Sequence, residues 1–142
     1  MTEKQVMKCY QKALAFVVEL MGTDGITSNL QLNKAGTALF GHHYAGTFPP
    51  ADLPPPAPHQ VTIINTKDGR GEHWLLRFCN ESHGIWYDSF GRDVKKLINT
   101  KYVHENTEND AEQAVSESNC GQRCLAAAIC GRFLGIQALK KI

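Results

Sequence analysis

A helical run with apolar residues on every side has nowhere to lie but inside a protein. This chain has one near its end. A polar stretch closes at Asn119, and Cys120-Gly121-Gln122-Arg123-Cys124 then leads into Leu125, Ala126, Ala127, Ala128 and Ile129, with Phe133 and Leu134 beyond. The rest of the molecule has to be built around that rod. At 142 residues the chain is expected to form one domain, residues 1–142, burying about two thirds of the surface its unfolded form exposes. That is core enough to enclose a helix.

Cys120 falls where the helix begins, with Asn119 or Ser118 placed to cap it. The first amides of a helix have no intrahelical partner and carry partial positive charge. Such a setting favours the thiolate form of a cysteine. Cys120 therefore reads as a nucleophile, and Gln113, just upstream, as a donor to an oxyanion. Cysteine is also a common buried residue, so for Cys120 alone a packing role stays open.

Upstream, Val6, Cys9, Tyr10, Leu14, Phe16, Val17 and Leu20 recur at three- and four-residue steps, which predicts a helix over 3–21 ended by Gly22 and Gly25. Residues 26–59 carry Gly36, Gly41, Gly46 and six prolines. This punctuation argues against a long helix or strand. Leu39, Phe40, Tyr44, Phe48 and Leu53 are interleaved with it, so an ordered surface loop is expected, one wall of a cleft. His42 and His43 are adjacent, so their side chains diverge, and no ligand partner lies nearby at metal spacing. Cys120, Cys124 and Cys130 point in different directions around a helix. No metal and no cofactor are expected.

Residues 60–65 read as a buried strand rich in β-branched side chains, followed by a turn at Asp68-Gly69. Residues 72–78 and 85–90 read as two further strands joined as a hairpin through the polar stretch 80–84. Facing residues of a hairpin have a constant sum of positions. Pairing His73 with Asp88 is close to the register the loop implies, and cross-strand neighbours lie about 5 Å apart. Residues 92–99 suggest a short amphipathic helix. Residues 104–119 suggest an exposed connection in which His104 is solvated.

A cysteine nucleophile needs a base for its proton, a group to orient that base, and donors for the developing oxyanion. His73, Asp88, Cys120 and Gln113 supply these in order. Cys120 and His73 would form a thiolate–imidazolium pair, with Asp88 fixing the ring. The Gln113 amide and the Cys120 backbone N–H would bind the oxyanion.

The ordered set His73-Trp74, Asp88-Ser89-Phe90-Gly91, and Gln113 with six residues before Cys120-Gly121 resembles adenain, the cysteine protease of adenoviruses, and its relatives. Leu39-Phe40-Gly41, Phe48-Pro49 and Ile63-Ile64-Asn65-Thr66 extend the resemblance, which covers about residues 36 to 130. It implies an α+β, papain-like fold, with a small mixed or antiparallel sheet packed on a buried central helix that carries the nucleophile at its N-terminus. It also implies an endopeptidase cutting after glycine-containing sites in viral precursor proteins, with Trp74 bordering a narrow channel suited to Gly. Related proteases act on ubiquitin-like proteins, so a hydrolase of such modifiers stays open as the alternative. A non-catalytic binding module on the same fold is a further one. Adenain is activated by a viral peptide through a disulfide to a cysteine between the acid and the nucleophile. No cysteine lies between Cys79 and Cys120, so an activating peptide, if one acts here, would bind without a covalent link.

A net charge of +1 gives no broad field to steer the chain to nucleic acid or an anionic membrane, while a local basic patch stays open. The longest apolar run, Ala13 to Leu20, contains Glu19 and is too short to span a bilayer. The first residues lack a signal-peptide pattern. Five cysteines, an odd number, do not make a disulfide framework. The expected partner is a polypeptide with a Gly-Gly type site. The expected location is intracellular: host nucleus or cytoplasm, or the virion.

Overall fold

The computed structural model describes residues 1–68, 71–107 and 117–142. Helix α1 spans Glu3–Met21 and starts at a capping box. Thr2 Oγ1 accepts from the Gln5 amide, and Gln5 Oε1 accepts from the Thr2 amide, so two end donors are satisfied by each other's residues. Gly22 ends the helix in the left-handed region at φ 72°, a conformation that costs glycine little. Val6, Tyr10, Ala13 and Val17 form the buried face, while Phe16 and Leu20 are exposed.

The segment 26–59, expected as an ordered loop without a long helix or strand, in fact holds a helix and a strand. Helix α2 spans Asn29–Phe40 and opens with a second capping box, Ser28 with Gln31. Strand β1, Tyr44–Phe48, follows. Gly36 lies within α2 because the Tyr44 ring packs there: a Cβ at this position would come within 2.3 Å of Tyr44 Cε1. The glycine marks a close approach and not a break.

Strands β2 (Val61–Asp68), β3 (Gly71–Cys79), β4 (Gly84–Tyr87) and β5 (Glu105–Asn106) complete a sheet of five strands in the order β1-β2-β3-β4-β5. The β2–β3 and β3–β4 pairs are antiparallel; β1–β2 and β4–β5 are parallel. The class is thus mixed α and β with a mixed sheet, in keeping with α+β. The expected helix over 92–99 is one 3₁₀ turn, Val94–Lys96.

Helix α3, Cys120–Leu134, lies against this sheet and against α1. Its residues from Cys120 to Ala128 are all buried, as a rod apolar on every side requires. Phe133 departs from the expectation and is 79% exposed. Leu125, Ala126 and Ala127 join Val6, Tyr10, Ile63, Leu76 and Tyr87 in the main core. A second core on the outer sheet face gathers Leu53, Ile64, Leu75, Trp86, Val94 and Ile98. A short terminal turn, Ile136–Lys141, closes the chain. Among the described residues no helix is long and apolar enough to cross a membrane.

Candidate active site

The β3–β4 register pairs Leu76 with Tyr87 and Phe78 with Ile85. Its turn is built by Asn80, whose Oδ1 accepts from the amides of Ser82 and His83. In this register Asp88 is not opposite His73. It lies one residue past the end of β4, at a tight turn in which the Gly91 amide donates to the Asp88 carbonyl. The turn carries the carboxylate back to the ring: His73 Nε2 is 2.5 Å from Asp88 Oδ1. The pairing expected from the sequence is therefore made, through the corner after the strand instead of through the ladder.

Three groups hold this carboxylate. Besides His73, the Arg92 amide donates to Asp88 Oδ2 at 3.1 Å, and Arg92 Nε donates to the same oxygen at 2.8 Å. Phe90 lies against the His73 ring with centroids 5.0 Å apart, and the Arg92 guanidinium sits over Phe90. Burial alone would push the Asp88 carboxyl upward. The hydrogen bonds and charges of His73 and Arg92 outweigh it and hold the group at about 2.

His73 is 2% exposed. Burial disfavours its charge, but the hydrogen bond to Asp88, with the nearby Cys120 and Asp88 favouring the charged ring, raises the imidazole to about 9. With Nε2 committed to Asp88, Nδ1 is the nitrogen left for the sulfur. Cys120, 6% exposed, is the first residue of α3. The structure thus brings together His73, Asp88 and Cys120, from the start of β3, the corner after β4 and the tip of α3. Gln113 lies outside the described residues.

The tip of α3 is fixed from several sides. Asn119 stands at the cap position, yet its side chain makes no cap hydrogen bond. It bridges instead: Nδ2 donates to Asp24 Oδ1 and Oδ1 accepts from Arg123 Nε. Gln122 Nε2 donates to the carbonyls of Thr23 and Gly25. Arg123 also donates to Tyr10 Oη and Glu117 Oε2, and Tyr10 Oη lies 3.2 Å from Tyr87 Oη. The loop after α1 and helix α1 meet the first turn of α3, and strand β4 joins them through Tyr10. Sequence reading missed these positioning residues, since Arg123 and Gln122 look like mere interruptions of an apolar run.

Gly121 allows a close approach at the helix tip. A Cβ there would meet Thr27 Oγ1 at 2.5 Å, Leu32 Cδ2 at 3.0 Å and Trp74 Cδ1 at 3.3 Å. Trp74, expected to border a substrate channel, is 3% exposed and presents its ring edge to Gly121. Cys124 donates its S–H to the Trp74 carbonyl at 3.4 Å, so β3 and α3 are joined one turn below the nucleophile. Among the described residues no cluster of three or more His, Cys, Asp or Glu could hold a metal ion.

The arrangement can do one kind of chemistry well. A buried imidazole held charged by a carboxylate lies beside a thiol at the positive end of a helix, which suits a thiolate–imidazolium pair. No family model, curated protein or solved structure matches this chain.

Proposed function

We propose that the protein is a cysteine endopeptidase on a papain-like, adenain-type scaffold, cutting polypeptides after glycine-containing sites such as those of viral precursor proteins. The observation that carries this reading is the buried His73, 2.5 Å from the Asp88 carboxylate and near enough to Cys120 for both to favour its charged form. A structural histidine buried without an anion would shift the other way.

In this reading the Cys120 thiolate attacks the scissile carbonyl carbon. The oxyanion that forms is met by the Cys120 backbone N–H, with the Gln113 amide as second donor. His73 Nδ1–H passes its proton to the leaving amine, and the C–N bond breaks to give a thioester on Cys120. Neutral His73 then takes a proton from water, which attacks the thioester and frees Cys120. Asp88 remains ionised throughout, fixing the ring and stabilising its charge in both halves. Arg92 supports that role by holding the far carboxylate oxygen.

Incubation of the full chain with a fluorogenic Leu-x-Gly-Gly peptide tests this. Cleavage is expected from the wild type and is expected to vanish in Cys120→Ala. A Cys120→Ala protein that cleaves as fast as wild type overturns the assignment. A ubiquitin-like protein bearing a C-terminal aldehyde tests the substrate class: labelling at Cys120 assigns modifiers, and no labelling with peptide cleavage intact leaves precursor proteins as the substrate.

A further inference from the structure

The proposed chemistry uses one of the five cysteines. Two of the others lie together where α3 packs against α1. Cys130, fully buried on α3, points its thiol at Cys9 on α1, with the two sulfurs 3.7 Å apart. They are separated by 121 positions in sequence. Cys9 is half-buried, whereas Cys130 is buried. Cys9 lines an open recess of about 460 Å³ together with Lys12, Phe16, Leu39, Ile129 and Arg132. Cys130 does not line this recess.

We propose that Cys9 and Cys130 form a peroxide-sensitive dithiol, in which Cys9 is the modification site and Cys130 the resolving thiol. The recess admits a small oxidant to Cys9, with cationic Lys12 and Arg132 in its lining. The Cys9 sulfur attacks one peroxide oxygen; an S–O bond forms, the O–O bond breaks, and water leaves, giving a sulfenic acid. The Cys130 sulfur then attacks the Cys9 sulfur; an S–S bond forms, the S–O bond breaks, and a second water leaves with the thiol proton. Two electrons pass from the sulfurs to the peroxide, and two thiols with one hydrogen peroxide become one disulfide and two waters.

The separation of roles follows from the two settings. Burial, together with the neighbouring Cys9, pushes the Cys130 thiol upward, so Cys130 is a poor first reactant. Once Cys9 is a sulfenic acid, the neighbouring thiol needs to move by less than two ångströms, since a disulfide is about 2 Å long. The bond would tie α1 to α3 across nearly the whole chain, and a loop that long is where a cross-link constrains the unfolded state most.

The experiment treats the full chain with hydrogen peroxide, blocks remaining thiols with iodoacetamide and maps tryptic peptides by mass spectrometry. Residues 9–12 are expected to appear joined to residues 124–132, two hydrogens lighter than the separate peptides. Cys124 shares the second peptide. Its alkylated form, and survival of the link in Cys124→Ser, assign the bond to Cys130. The oxidised wild type is expected to melt roughly 5–15 °C higher than the reduced form, and Cys9→Ser, a half-buried and mild change, is expected to show no such shift. Recovery of Cys9 alkylated or over-oxidised without a link, or a link to any cysteine but Cys130, overturns the proposal. So does an identical melting shift in Cys9→Ser. None of these readouts depends on peptidase activity.

Discussion

His73 and His104 are both withdrawn from solvent, yet the two ends of the sheet treat them in opposite ways. His73, at the start of β3, is raised to about 9 because Asp88 and Cys120 reward its charge more than burial penalises it. His104, just before β5, is lowered: burial disfavours its charge and the Arg77 guanidinium repels it. It stacks edge-on against Trp86 at 4.7 Å, and its Nε2 has no hydrogen-bond partner among the described residues. Arg77 repeats the contrast. It is 0% exposed, and Nη2 donates to Pro54 O and Gln60 Oε1, yet Nε and Nη1 find no partner among the described residues. Withdrawal from water alone therefore says little about a titratable group. A neighbouring anion decides whether the protein stores a charge or expels it.

The largest effect should come from the histidines themselves. His73→Ala is expected to lower kcat/KM on a Gly-Gly peptide by roughly 10³-fold or more, while His104→Ala leaves the rate per folded molecule unchanged. Equal losses at the two positions would break the comparison.

Stability should separate the two ends next. Asp88 is held at about 2 against an ordinary 3.8, so its contribution is present above about 4 and is lost as pH falls through 2. His73 is held at about 9 against an ordinary 6.5, so its contribution is full below 6.5 and is lost as pH rises through 9. Both are present between about 4 and 6.5. The His73–Asp88 contact enters both shifts, so they do not sum, and together they amount to about 3 kcal/mol. In urea unfolding near pH 5.5, Asp88→Ala is expected to lose about 3 kcal/mol, since it removes the buried carboxylate that His73 and Arg92 share. Arg77→Met is expected to stay within about 1 kcal/mol of wild type, since it removes a buried cation whose donors are only partly satisfied. A loss at Arg77 as large as that at Asp88 would contradict this.

Away from both ends, a cap should matter least. Ser28→Ala removes the acceptor for the Gln31 amide at the start of α2 and is expected to cost about 1 kcal/mol with no change in the pH profile.

What was legible in the sequence follows the same physics. Helix α3 declared itself because an apolar rod has no solvated face. The β3–β4 hairpin and the grouping of His73 with Asp88 were readable from residue type and order. Helix α2 was not, because Gly36 reads as a breaker when only composition is counted; its reason, the ring of Tyr44 eight residues on, is tertiary. Its N-terminal signal, Ser28 with Gln31, was present in the sequence and was passed over. His104 looked solvated because its burial depends on Trp86 from β4 and on the bare face of Gly84, where a Cβ would come within 2.7 Å of the imidazole. Arg92 as the second holder of Asp88 depends on the corner after β4, which hairpin arithmetic treats as a continuing strand.

The central claim is that His73 carries its proton in the resting protein. The ¹⁵N and ¹H imidazole resonances of His73, followed by NMR from pH 5 to pH 10.5, test this directly. A ring that stays doubly protonated through pH 7 and titrates near 9, shifting downward in Asp88→Asn, is the predicted result. A ring already neutral at pH 7, titrating at or below 6.5 and indifferent to Asp88, would contradict it.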